Sequence, residues 1–80
     1  MQKLSRQGFA DEVNRRLQAH PSYQRGNRIR LYPDGSTEES AKGYGRDYWG
    51  NGETVEQRDM FDQVEAQVRS EFDAPWGLQR

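Results

Sequence analysis

The chain has 80 residues, which suits one small domain, and only 31% of them are apolar, so the core it can build is thin. The sequence contains no cysteine, which excludes a disulfide framework, a thiolate nucleophile and a cysteine-based zinc site, and it predicts neither a signal peptide nor a membrane span. A thin core would gain from a second copy, so we expect a homodimer, with a monomer as the alternative.

The net charge of −1 conceals an uneven distribution of charge along the chain. Residues 1–32 carry seven Lys and Arg against two acids, a net charge of +5, and residues 33–80 carry five against eleven, a net charge of −6. Such asymmetry is typical either of two halves that neutralise each other or of halves that bind oppositely charged partners. Ten Arg against two Lys suggests a bacterial or phage genome rich in GC, and with the absence of cysteine it predicts a cytoplasmic location.

The first predicted element is a helix over residues 5–20. Apolar side chains recur there at four-residue intervals and share one helical face: Phe9, Val13 and Leu17. Ser5 is the predicted N-cap, and Pro21 disfavours helical backbone at the residue before it. Acid-to-base pairs four residues apart, Asp11 with Arg15 and Glu12 with Arg16, add support.

A β-hairpin or meander is predicted over residues 28–49. Residues 28–32 alternate polar and apolar side chains, which is typical of a strand with one buried face. The run Pro33-Asp34-Gly35-Ser36 predicts a tight turn, because Pro presets φ and Gly accepts a positive φ. A return strand is expected within residues 37–49, and Gly50-Asn51-Gly52 predicts a second turn.

The second predicted helix covers residues 54–72, and residues 73–80 are expected to form a tail. Thr54 and Gln57 have the spacing of a capping box. Apolar side chains form one stripe along this helix: Phe61, Val64, Val68 and Phe72. The sequence therefore predicts a single α+β domain in which two helices pack on one face of a small antiparallel sheet.

Residues 42–49, Lys-Gly-Tyr-Gly-Arg-Asp-Tyr-Trp, hold the densest group of aromatic and basic side chains. The opening Lys-Gly-aromatic-Gly and the aromatic at the eighth place resemble the RNP1 motif of RNA-recognition domains, whose strand aromatics stack on bases. The segment departs from that motif at Arg46, where the family has its second stacking aromatic, and at Asp47, where it has an aliphatic residue. The family's first strand also has no counterpart before the first helix, so we interpret the segment as an aromatic-rich loop or edge strand.

Aromatic rings beside guanidinium groups remain the strongest functional pattern in the chain, because these residue types are enriched at binding hot spots. The predicted binding residues lie in this segment and on the strand before it: Tyr44, Arg46, Tyr48, Trp49, Arg28 and Arg30. They favour a small non-catalytic protein-binding module, for example a phage or mobile-element inhibitor or adaptor, such as an anti-CRISPR protein, that acts on a larger host complex. One alternative is a nucleic-acid-binding domain that uses the same Arg and Tyr side chains. The other is that Trp49 and one Tyr cap the core while the charges are solvated.

Three further features each admit a structural and a functional interpretation. Acids near the start of the second helix either complement its dipole or form an acidic face for a basic protein: Glu53, Glu56, Asp59 and Asp62. Trp76 either covers the core or anchors a partner. The single histidine, His20, is expected to be structural, and we find no nucleophile triad, phosphate loop or dinucleotide motif. We therefore predict no enzyme activity, no cofactor and no metal.

Overall fold

The computed structural model describes residues 2–33, 35–48 and 54–73. Two helices pack on one face of an antiparallel strand pair, and a short parallel pair joins the two ends of the described chain. In chain order the elements are β1 (Gln2–Lys3), α1 (Arg6–Gln18), β2 (Arg28–Tyr32), β3 (Gly43–Asp47), α2 (Val55–Glu71) and β4 (Phe72–Asp73). The predicted α+β fold is confirmed, with β1 and β4 as additions.

Helix α1 begins where its capping side chain predicts and ends two residues early. The Ser5 hydroxyl accepts a hydrogen bond from the Gly8 backbone N–H at 2.9 Å, as an N-cap should. Ala19 is the C-cap, and its N–H donates to the Arg16 carbonyl at 3.1 Å, so the helix tightens and stops before His20. Of the two predicted ion pairs only Glu12 with Arg16 forms, at 2.7 Å, because Arg15 also turns to Glu12.

Helix α2 begins after Thr54, whose hydroxyl accepts from the Gln57 N–H at 3.1 Å. It ends at Glu71, because Phe72 adopts extended backbone with φ −133° and ψ 153°. Phe72 and Asp73 then pair in parallel with β1, and the Leu4 N–H donates to the Asp73 carbonyl at 2.9 Å. Helix α2 thus ends one residue before the predicted end at Phe72, and Asp73, the first residue of the predicted tail, lies in β4. Trp76 and the rest of residues 74–80 lie outside the described chain.

Strands β2 and β3 form the predicted hairpin, with Ile29 opposite Arg46 and Leu31 opposite Tyr44. In the connecting turn the Ser36 N–H donates to the Pro33 carbonyl at 3.0 Å, and Gly35 has φ +79°. Asp34 and the second predicted turn lie outside the described residues.

The Asn14 side chain of α1 closes one edge of the hairpin. Its amide nitrogen donates to the Ile29 carbonyl at 3.0 Å, and its amide oxygen accepts from the Ile29 N–H at 2.7 Å. One side chain thereby pairs both backbone groups that a neighbouring strand would otherwise pair. This amide clamp ties β2 to α1 and helps to orient the sheet against the helices.

The core lies between the two helices and the inner side of the hairpin. Its side chains are almost fully buried: Phe9, Ala10, Val13, Leu17, Ile29, Met60, Phe61, Val64 and Val68. The two predicted apolar stripes therefore meet each other, with Phe72 only partly buried at the margin. In the described residues we find no helix that is long and apolar enough to cross a membrane.

The two oppositely charged halves of the sequence neutralise each other in part. Basic side chains of the first half contact acids of the second: Arg16 with Glu71 at 2.7 Å and Arg28 with Asp47 at 2.9 Å. The backbone N–H of Arg6 also joins the two halves by donating a hydrogen bond to the Glu38 carboxylate at 2.8 Å. These contacts agree with the first explanation of the charge asymmetry, in which the two halves of the chain neutralise each other.

Candidate binding surface

The pleat of the hairpin divides the predicted binding residues between two faces. Ile29 and Leu31 of β2 are buried, so Arg28 and Arg30 point away from the helices. On β3, Arg46 stands opposite Ile29 and Tyr44 opposite Leu31, which places both on the inner side. Trp49 lies outside the described residues. The predicted set is therefore not one continuous surface.

Arg46 connects β3 to α2 through two carboxylates. Its Nε donates to Glu65 at 2.9 Å and its Nη2 donates to Asp62 at 2.7 Å, while the guanidinium lies 5.2 Å from the centre of the Phe61 ring. Tyr48 packs edge-on against the same ring at 5.1 Å. Burial alone would lower the pKa of Arg46, but the hydrogen bonds to Glu65, Tyr48 and Asp62 outweigh it and raise the pKa. We call these residues, Arg46, Tyr48, Phe61, Asp62 and Glu65, the β3–α2 seam.

Tyr44 belongs to the margin of the core. Its ring centre lies 4.8 Å from that of Phe9, and Arg69 covers Phe9 with its guanidinium 5.1 Å from the ring centre. Burial raises the pKa of the Tyr44 phenol. In these positions Tyr44, Arg46 and Tyr48 contribute to the packing of β3 on the helices.

The opposite side of the hairpin carries a different set of residues, which we call the outer sheet face. It consists of alternate residues of both strands: Arg28, Arg30, Tyr32, Gly43, Gly45 and Asp47. Tyr32 is 55% exposed. A Cβ atom at Gly43 would meet no atom within 4 Å, so the backbone opposite Tyr32 is open. Large side chains therefore stand on one strand, and the neighbouring strand presents glycine backbone beside them.

Asp47 joins the two arginines of the outer sheet face. Its carboxylate accepts from Arg28 Nε at 2.9 Å and from Arg30 Nε at 3.1 Å. Burial would raise the pKa of Asp47, but the two arginine hydrogen bonds outweigh burial and lower it. The carboxylate is therefore ionised at neutral pH and holds both guanidinium groups in place.

Gly45 leaves room for the Arg30 side chain to reach Asp47. A Cβ atom at position 45 would lie 3.0 Å from Arg30 Nη1 and 3.3 Å from Arg30 Cζ. The missing Cβ lets the Arg30 guanidinium lie this close to the β3 backbone while its Nε contacts Asp47. Arg30 therefore lies flat along the sheet while Arg28 projects.

Sequence reasoning missed Tyr32, Gly43 and Gly45 as parts of a surface. A usable signal was present, because Gly43, Gly45 and Asp47 alternate with Tyr44 and Arg46 along one strand. Two glycines and an aspartate cannot supply a core-facing side. The face with the larger side chains had to turn inward.

Of the remaining candidate features, Glu56 and His20 have structural contacts of their own, and Glu53 lies outside the described residues. In the first turn of α2, Glu56 accepts a hydrogen bond from the Ser22 hydroxyl at 3.1 Å. His20 accepts the Ser22 N–H through Nδ1 at 3.0 Å, and its Nε2 lies 2.9 Å from the Gln63 amide oxygen. A shallow cleft of about 490 Å³ lies between the end of α1 and α2, over Val64. Within the described ranges no three His, Asp or Glu side chains group closely enough to hold a metal ion.

Comparison with protein-family models, with curated proteins and with solved structures finds no match to this chain. Function therefore has to be inferred from the geometry of the molecule. The outer sheet face offers the most specific geometry, because Arg28 is exposed and at the same time bonded to Asp47, with the exposed Tyr32 on the same strand.

Proposed function

We propose that this domain is a small non-catalytic protein-binding module that contacts its partner through the outer sheet face. The observation that carries the proposal is the row of Arg28, Arg30 and Tyr32 on the solvent side of β2, where the residues opposite on β3 are Asp47, Gly45 and Gly43. Tyr and Arg supply a large share of the energy at measured protein interfaces. The contacts of Arg28 and Arg30 with Asp47 restrict both side chains before binding, so they have less conformational freedom to lose.

The charges of this region favour a protein over a nucleic acid as the partner. Affinity for nucleic acid rises with each lysine or arginine that can neutralise a phosphate. Arg46 instead lies between Asp62 and Glu65, and Asp47 sits between Arg28 and Arg30. The Arg and Tyr surface that the nucleic-acid alternative would use is thus divided and partly neutralised.

The hydrogen bonds of the one histidine support the non-catalytic part of the proposal. Both ring nitrogens of His20 are occupied, one by the Ser22 N–H and the other by the Gln63 side chain. A general base needs a ring nitrogen directed at a substrate. His20 instead fastens the end of α1 to α2.

The more specific predictions from the sequence extend this proposal. The partner would be a larger protein or complex in a bacterial cytoplasm, and the domain would act on it as an inhibitor or adaptor, as a phage anti-CRISPR protein does. Self-association into a homodimer also stays a prediction, and light scattering across a range of concentrations measures it directly.

The test starts from the tagged full chain, with which a partner is isolated from lysate of the encoding organism and then purified. We expect Tyr32→Ala and Arg28→Ala each to weaken binding of the purified partner by about 1–3 kcal/mol in isothermal titration calorimetry, while circular dichroism stays unchanged.

Val55→Ala is the matched control, because Val55 is 64% exposed but lies at the start of α2, away from the outer sheet face. Its affinity should equal that of the parent. If Tyr32→Ala and Arg28→Ala also bind as tightly as the parent, the outer sheet face is not the binding surface. A nucleic acid as the isolated partner would likewise contradict the proposal.

A further inference from the structure

Two described arginines each lie between a pair of carboxylates. Arg16 lies between Glu12 and Glu71 with its side chain 18% exposed, and Arg46 lies between Asp62 and Glu65 with its side chain 20% exposed. In both cases one guanidinium faces two carboxylates. These two groups are saturated structural contacts.

Arg28 differs from both. It contacts one carboxylate, that of Asp47, and its side chain is 63% exposed. Its Nε–H is bonded to Asp47, and among the described residues no acceptor is assigned to its two terminal nitrogens. A guanidinium presents five N–H donors in a planar fork that matches a carboxylate. Arg28 is therefore held through one edge and offers the other edge to solvent.

Tyr32 and Gly43 form a second contact point on the same face. They stand directly opposite each other in the register, Tyr32 is 55% exposed, and the space above Gly43 is open. An aromatic ring beside bare backbone makes a shallow seat for an apolar side chain. Because Arg28 and Tyr32 are four residues apart on one strand, the two points are separated by about 13 Å.

We propose, on the basis of the proposed function, that the outer sheet face binds an extended acidic segment of the partner protein. A carboxylate of that segment pairs with Arg28, and an apolar side chain four residues further along rests on Gly43 beside Tyr32. Residues four apart in an extended chain point to the same side, so one strand-like segment spans both points. The positive charge of Arg28 selects an acid at the first position, and Asp47 keeps its guanidinium oriented.

The probe is a blocked synthetic peptide that contains Glu-Thr-Thr-Thr-Leu, titrated into the isotope-labelled full chain and followed by amide NMR shifts. We expect shifts concentrated at Arg28, Tyr32, Gly43 and Gly45. Replacing the Glu of the peptide by Gln should weaken binding up to about fivefold, the range of an exposed ion pair. Moving the Leu one place closer should weaken it too, because the two side chains then point to opposite sides.

Variants of the protein distinguish a specific ion pair between Arg28 and the Glu of the peptide from non-specific electrostatic attraction. Arg28→Gln should bind the Glu and Gln peptides equally, whereas Arg15→Gln, at a side chain 70% exposed on α1, should keep the preference of the parent. Equal binding of both peptides by the parent overturns the inference, and so does the absence of shifts on the outer sheet face. A short thymidine oligonucleotide that shifts the same amides more strongly, with a steep salt dependence, also overturns it.

The inference and the proposed function fail in different ways. Suppose that Tyr32→Ala no longer binds the purified partner, but the Glu peptide neither binds the parent nor competes with the partner. The outer sheet face is then the binding surface, but it does not bind an acidic segment. If Tyr32→Ala and Arg28→Ala keep the partner, the surface itself is wrong, whatever the peptide does.

Discussion

Arg46 Nε on β3 lies 2.9 Å from Glu65 Oε2 on α2, and the Glu65 side chain is only 8% exposed. This ion pair holds the middle of residues 42–49 against the helices. Asp62 on the preceding turn of α2 contacts the same guanidinium at 2.7 Å. The β3–α2 seam is therefore ionic at its centre and aromatic on one side, where Tyr48 meets Phe61.

Loss of Arg46 should destabilise the fold. Arg46→Ala leaves Glu65 buried without its closest cation, and removal of one partner of a buried ion pair is costly, here about 2–4 kcal/mol of unfolding free energy. Urea unfolding followed by circular dichroism measures the change. Arg28→Ala, at a side chain 63% exposed, is the control and should cost less than about 1 kcal/mol. Equal losses for the two variants would mean that the seam contributes little.

Val68 tests the apolar stripe of α2. The side chain is fully buried, so Val68→Asp should unfold the domain, because an unpaired buried carboxylate costs several kcal/mol, comparable to the whole stability of a small domain. Far-UV circular dichroism is the measurement. Val55→Asp places the same carboxylate at the exposed start of α2, where the helix dipole favours it, and should leave the melting temperature at or above that of the parent. A native spectrum for Val68→Asp would contradict the facing of the helix.

The amide clamp between Asn14 and Ile29 should be visible in hydrogen exchange. Asn14→Ala leaves two backbone groups of β2 without their partner, and we expect a loss of about 1–3 kcal/mol together with faster exchange of the Ile29 amide. Gln18→Ala on the exposed side of α1 is the control and should leave that amide protected. Unchanged exchange in Asn14→Ala would show that another group takes over the pairing.

Alkaline pH should destabilise the domain through Tyr44. Burial raises the pKa of this phenol above its ordinary value of 10.0, so its contribution is complete below pH 10 and is lost as pH rises toward the folded-state pKa. Melting temperatures between pH 8 and pH 11 should therefore fall more steeply for the parent than for Tyr44→Phe. Tyr32→Phe, at an exposed ring, should follow the parent curve. Parallel curves for the parent and Tyr44→Phe would contradict the burial of the hydroxyl.

Acid should weaken the contact between Glu38, in the loop from β2 to β3, and the first turn of α1. The backbone N–H groups of Gln7 and Arg6 donate to the Glu38 carboxylate and lower its pKa below 4.5. Its stabilisation is therefore present above that value and is lost as pH falls through the folded-state pKa. Glu38→Gln should melt at a lower temperature than the parent at pH 7, and the difference should shrink as pH falls through the folded-state pKa of Glu38. Glu39→Gln is the neighbouring control at pH 7, because the N–H groups at the start of α1 donate to Glu38 and not to Glu39, and it should melt with the parent there.

The sequence by itself determined the features that depend on neighbouring residues. Ser5 and Thr54 are caps because their hydroxyls reach N–H groups three residues away, and the spacing of Phe9 and Val13 defines a face whatever the helix contacts. The alternation around Ile29 likewise places Arg28 and Arg30 on the side away from the core.

Only the tertiary structure decided the relationships that join distant parts of the chain. The pairing of β1 with β4, the Glu38 cap on α1 and the contact of Arg46 with Glu65 link residues that are 19 to 70 positions apart. Local periodicity reports which side chains share a face, but register and packing determine which face is buried. For β3 that choice turned Tyr44 and Arg46 inward and left Gly43 and Gly45 outside, because only the larger side chains could fill the space against Phe9 and Phe61.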